Sequence, residues 1–153
     1  MSQQPQFTLE NTNADNDPPF LMFHKNSASP ADNDNIARIG FHSDDFGGTK
    51  TEVATIRALV TDVTDTNEAG KIQMEVMIDG ALKEMINIQG NAGVAEGSII
   101  FNEEAADVDF RVEASGAANA LFVQGSDGFV GIGTTSPDTL LEVATGASNA
   151  DSA

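Results

Sequence analysis

Apolar and polar residues alternate through the first half of the chain and fall into short, evenly spaced pairs through the second. "KIQMEVMID" shows the alternation most clearly. Ile72, Met74, Val76 and Ile78 fall on one face, with Lys71, Gln73, Glu75 and Met77 on the other, the pattern of a half-buried strand. "VATIRALV" repeats it, because Ala54, Ile56, Ala58 and Val60 share a face opposite Thr55 and Arg57. Asp79-Gly80 stands between two apolar runs and predicts a type I′ hairpin, which needs positive φ at both central residues. "ALKEMINIQ" fits both periods: Leu82, Met85 and Ile86 have helical spacing, while Leu82, Ile86 and Ile88 alternate. It is read as strand.

After Gly90 the texture changes. Apolar-x-apolar doublets recur as Ile99/Phe101, Phe110/Val112, Leu121/Val123, Val130/Ile132 and Leu141/Val143, their first members 11, 11, 9 and 11 residues apart. Polar or small-residue turns separate them, and one short strand plus one turn per unit predicts a repetitive β structure. Each unit supplies only two large apolar side chains, too few to offset ~1.5 kcal/mol of ordering entropy per residue in a lone chain. The doublets must therefore pack on the upstream sheet or on identical chains around an axis. A uniform repeat suits the second arrangement, and three chains also remove exposed strand edges.

Proline and glycine separate the ends of the chain. Four of five prolines lie in the first 30 residues, and all fourteen glycines lie at or after Gly40. Residues 1–19 are polar and, beyond Met1, carry only Phe7 and Leu9 as large apolar groups, so they read as an arm that orders against a partner. The expected organisation is an arm over 1–19, an antiparallel β domain over 20–90, a repetitive β-prism segment over 91–145 and a flexible tail over 146–153.

Charge narrows the function classes. With 24 acidic residues against 7 basic ones, the net charge of −17 disfavours nucleic acid and anionic membranes as partners and suits solubility at high local concentration. Cysteine is absent, which removes disulfides and thiolate metal sites. No apolar stretch approaches the ~20 residues of a membrane span, and the N-terminus lacks the basic start and apolar run of a signal peptide, so synthesis in the cytoplasm without export by that route is expected.

"GSDGFVGIGTTSPDTLLEV", residues 125–143, approaches a phosphate-binding loop, but Thr134 stands where that loop needs the lysine that reaches the phosphates. Read as G-x-G-x-x-G it has Gly131, Gly133 and then Ser136, with Pro137 where a helix should begin. These glycines are expected to serve turns and close backbone approach. "FHSDDFGG" gathers His42, Ser43, Asp44 and Asp45, yet strand neighbours point to opposite faces, and His24 is placed in a different strand; a polar loop is expected. Asp65 to Gly70 matches three positions of a calcium loop but lacks the glutamate at the twelfth, which leaves a turn, with a weak structural cation as the alternative. Glu103, Glu104 and Asp109 are not placed as a catalytic pair. Nine Phe with no Trp or Tyr do not favour glycan or nucleobase stacking. No cofactor is expected.

Residues 109–143, "DFRVEASGAANALFVQGSDGFVGIGTTSPDTLLEV", resemble the "LFV…G…VGIGTTSP…L.V" segment of bacteriophage tail-fibre and related virion appendage proteins. Upstream, "SPADNDNIARIGF" and "VATIRALVTDVTDTNEAGKIQMEV" resemble a β domain of such fibres, so the likeness spans residues 20–143. It implies a homotrimeric, β-rich, non-enzymatic structural protein. Many relatives continue into a C-terminal chaperone domain, whereas this sequence ends eight residues after Thr145.

The resulting expectation is an all-β virion protein, acidic and trimeric, acting as a short head or tail fibre or as a capsid decoration protein. Phe110, Val112, Leu121, Val123, Val130, Ile132, Leu141 and Val143 are expected to form the trimer interface. Phe7 and Leu9 would dock the arm to capsid, collar or tail proteins. The alternative is a fibre or adhesin module that binds a host surface, and a third, a carboxylate-based β-solenoid hydrolase, would require a convergent acidic pair.

Overall fold

The computed structural model describes residues 5–144, and these form strands and connections with no helix. Five strands, β1 (Asn35–Asp44), β2 (Lys50–Asp62), β3 (Ala69–Ile78), β4 (Ala81–Gly90) and β5 (Gly97–Phe101), build an antiparallel meander in chain order. Four short strands, β6 (Phe110–Ala114), β7 (Ala117–Val123), β8 (Val130–Ile132) and β9 (Leu141–Val143), build a second sheet in chain order. The expected all-β class and the antiparallel domain are thus present. The second sheet is mixed, since β8 and β9 run parallel.

Local chemistry explains the meander. Asp79 and Gly80 have φ of 47° and 77°, so the β3–β4 hairpin closes through the two positive-φ residues that its two-residue turn requires. The ambiguous "ALKEMINIQ" is β4, because alternation lets Ile86 and Ile88 face Met74 and Ile72 across the ladder. Pairing continues past residue 90: Ile88 faces Ile99 and Ile86 faces Phe101, so the first of the five doublets completes the upstream sheet.

The two faces of this sheet differ sharply. On one, Ile39–Ile56–Met74–Ile86–Phe101 and Ala37–Ala58–Ile72–Ile88–Ile99 form two apolar ranks that cross all five strands. The other carries Arg38, Thr55, Arg57, Gln73, Glu75, Glu84 and Asn87. It is the polar face that is buried: Thr55 is 1% exposed and Asn87 2%, whereas Ile72 is 46% exposed and Ile88 43%. Polar side chains lie across one another there. Arg38 pairs with Glu52 and donates to Thr55 Oγ1 at 3.2 Å, Arg57 Nη2 meets Glu75 Oε1 at 2.6 Å, and Gln73 Nε2 donates to Glu84. The sequence pattern sorted the faces correctly, but the face expected to be solvated is the covered one.

Segment 5–34 forms no strand, and His24 lies within it rather than in a strand as expected. Lys25 Nζ sits 2.7 Å from Asp34 and holds that carboxyl below the usual carboxylate range. The expected tail, residues 146–153, and Thr145 lie outside the described residues, as do the first four residues of the arm.

Candidate functional site

The second sheet gathers the doublets into one surface. Each of the last four doublets lies in its own strand, β6 to β9. Register aligns Phe110, Val123, Val130 and Leu141 in one rank, with Val112 facing Leu121 and Ile132 facing Val143 beside it. All eight residues expected at the trimer interface therefore share one sheet face. None is buried, and Leu141 and Val143 are 62% and 61% exposed. Phe101 of β5 and Phe110 of β6 pack in a tilted pair with ring centroids 5.2 Å apart, which joins this surface to the apolar face of the first sheet.

Phe122 was not among the expected core residues. It sits between Leu121 and Val123 in its strand, points to the reverse face, pairs with Gly131 and is 5% exposed, the one large hydrophobic buried among the described residues. The signal was present in "ALFV", a run of apolar residues that fills both faces of a strand rather than one.

The glycine-rich stretch is scaffold by its geometry. Strand β8 is followed by a turn and then by the parallel strand β9, not by a helix whose N-terminus could hold a phosphate. A Cβ on Gly131 would lie 2.5 Å from the Thr134 carbonyl oxygen, because the backbone folds back over that position. Gly133 takes φ of 79°, and its N–H donates to Asn119 O at 2.8 Å, tying the turn to β7. Asp127-Gly128 closes the antiparallel β7–β8 hairpin, with Phe129 N donating to Asp127 Oδ1 at 2.9 Å.

The polar candidates have structural partners. His42, Ser43 and Asp44 lie within β1 rather than in a loop, and Asp45 Oδ1 accepts from Thr49 N at 2.9 Å to close the β1–β2 turn. Within Asp65–Gly70 the last two residues already belong to β3, opposite Asp62 and Val60, and Asp62 Oδ1 accepts from Thr64 N at 2.7 Å. That backbone hydrogen bond holds the Asp62 carboxyl below its ordinary value. Glu104 pairs with Lys83 at 3.0 Å, an attachment that lowers its carboxyl too, and Asp109 Oδ1 accepts from Gly125 N at 3.0 Å. Among the described residues no group of three or more His, Asp or Glu side chains is placed to hold a metal ion.

Phe7 and Leu9 of the arm are 77% and 44% exposed, and Asn11 organises the polar stretch after them by accepting from Asn13 N at 2.8 Å. The site that the geometry offers is thus a surface of aliphatic and phenyl groups. Compared with family models, with curated proteins and with solved structures, the chain matches none.

Proposed function

We propose that this chain is a non-enzymatic structural protein of a bacteriophage virion, a homotrimer that serves as a short fibre or a capsid decoration protein. The observation that carries the reading is the placement of four consecutive doublets on one half-exposed to exposed face of a sheet in which Phe122, on the reverse face, is the one large hydrophobic buried among the described residues. Such a sheet has no core of its own and gains one when copies turn these faces together. The likeness of residues 109–143 to fibre segments points the same way, and the net charge of −17 would keep many displayed copies soluble and apart. Exposed Phe7 and Leu9 on the arm suit docking to a capsid, collar or tail protein.

The test is immunogold electron microscopy of virions from a host that carries the gene, using antiserum to the purified protein. Labelling at fixed positions on the particle is expected. Particles without label and without the protein by mass spectrometry would remove the reading.

A second reading, a host-surface binding module, is favoured by one feature: Phe46 projects fully exposed from the β1–β2 turn. On that reading Phe46→Ala abolishes binding of the isolated protein to host cells, whereas on the first the wild-type protein does not bind them.

A further inference from the structure

We propose that the apolar face of the five-stranded sheet is itself a contact surface between copies of this chain, so that assembly is not confined to the doublets of the second sheet. The inference rests on the trimeric reading for the number of copies and for the axis at the second sheet.

Area supplies the first argument. Eight large apolar side chains from β1 to β5, among them Ile39, Ile72, Met74, Ile88, Ile99 and Phe101, are each 38–64% exposed on this face. At roughly 200 Å² for a large apolar side chain, about half of it exposed, they present ~800 Å², the share of one partner in a standard interface and more than the largest patch of a typical monomer. The surface is therefore large enough to hold a stable complex.

Chemistry selects the occupant. Along the two ranks from Ile39 to Phe101 and from Ala37 to Ile99 no charged residue occurs, in a chain that is 20% charged; Lys83, beside Val76, marks an edge, where it pairs with Glu104. A partner must be equally apolar, and a second copy, which carries the same uncharged ranks, meets that demand. The polar face offers no comparable surface, because Thr55, Gln73, Glu75, Glu84 and Asn87 on it are buried.

Continuity supplies the third argument. Ile99 and Phe101 are the first doublet of the same repeat whose later members form the second-sheet surface, and Phe101 touches Phe110 across the junction. An axis that gathers copies at the second sheet would carry their first sheets alongside. The chain's own arm covers only part of the face: Phe23 lines, with Ala37, Ile39, Ile56, Ala58 and Ile72, a pocket of ≈ 130 Å³ over the β1–β3 end, while β4 and β5 stay open.

Met74, in the central strand, is the residue to change. It is 38% exposed in the single chain, so Met74→Glu leaves the charge in water if the face is free and buries it unpaired if copies meet there. Light scattering of full-length Met74→Glu should give the mass of one chain, a threefold fall, with unchanged far-UV circular dichroism. Because the chain has no cysteine, Met74→Cys introduces a unique thiol. A bismaleimide should link copies through it, while Lys50→Cys at the exposed start of β2 stays unlinked. A Met74→Glu protein that keeps the wild-type mass, while Val130→Glu loses it, overturns the inference and leaves the second-sheet core standing. A wild-type dimer that Met74→Glu dissociates upholds the inference and removes the trimer. A wild-type monomer whose Met74→Cys thiol is shielded from reagent overturns it as well, and assigns the face to the chain's own arm.

Discussion

Arg57→Met is the sharpest probe of the inverted sheet. Glu75 and Glu84 face each other directly across β3 and β4, at 9% and 7% exposure, and the Arg57 guanidinium is the cation bonded to Glu75. Methionine keeps much of the side-chain stem and removes the charge, leaving two covered carboxylates beside one another. With charge centres ~4 Å apart and an effective dielectric of 20, the lost attraction is about 4 kcal/mol. The Arg57 side chain is 28% exposed, so solvent screening reduces this to ~2–3 kcal/mol. Urea unfolding followed by circular dichroism, at one fixed chain concentration, should therefore show a midpoint lower by about 0.7–3 M, given a slope of ~1–3 kcal/mol/M for small proteins. Adding Glu75→Gln removes one of the facing charges and should restore at least half of the loss. A loss under ~0.5 kcal/mol, or a double variant no better than Arg57→Met, would refute the claim that this face is held by paired charges. The second result would assign the effect of Arg57 to packing of its stem.

Three further outcomes follow from the same structure. Ile132→Asp places an unpaired charge on the second-sheet face and should yield single chains by light scattering, so a normal trimer from this variant would sink the interface assignment. Gly131→Ala forces a methyl against the Thr134 carbonyl and should cost ~1–3 kcal/mol in urea unfolding, whereas Ser126→Ala in the exposed β7–β8 turn should stay within about 0.5 kcal/mol. Asp34, Asp62 and Glu104 all have lowered carboxyl pKa values, from ordinary values of 3.8, 3.8 and 4.5. Their contribution is complete above those values and disappears as pH falls through the lowered ones. Stability from these groups should thus be flat from pH 7 to 5.5 and decline below about pH 4, and Lys25→Met should flatten the part of that decline due to Asp34.

Much of the strand layout was legible because it depends on neighbours in sequence. Alternation in "KIQMEVMID" and the Asp79-Gly80 turn follow from side-chain period and backbone sterics alone. Burial was not legible, since the period says which residues share a face and not which face is covered. Gln73 and Glu75 looked solvated and are buried; Ile72, Met74 and Val76 looked like core and are half exposed. For the apolar face we propose that other copies of the chain supply the cover. The parallel β8–β9 pairing was likewise out of reach: it joins strands through only residues 133–140, where a crossover between parallel strands commonly needs a dozen or more. Phe122 was readable in principle from the apolar run around it, but the doublet pattern assigned Leu121 and Val123 and passed over the residue between them.

The first measurement to make is the mass of the wild-type protein by light scattering across a hundredfold dilution. The chain weighs 16.0 kDa, and a symmetric trimer would hold about 48 kDa throughout. A folded 16.0 kDa species at every concentration would mean that both apolar faces stay bare in solution, and would contradict assembly as the chain's role.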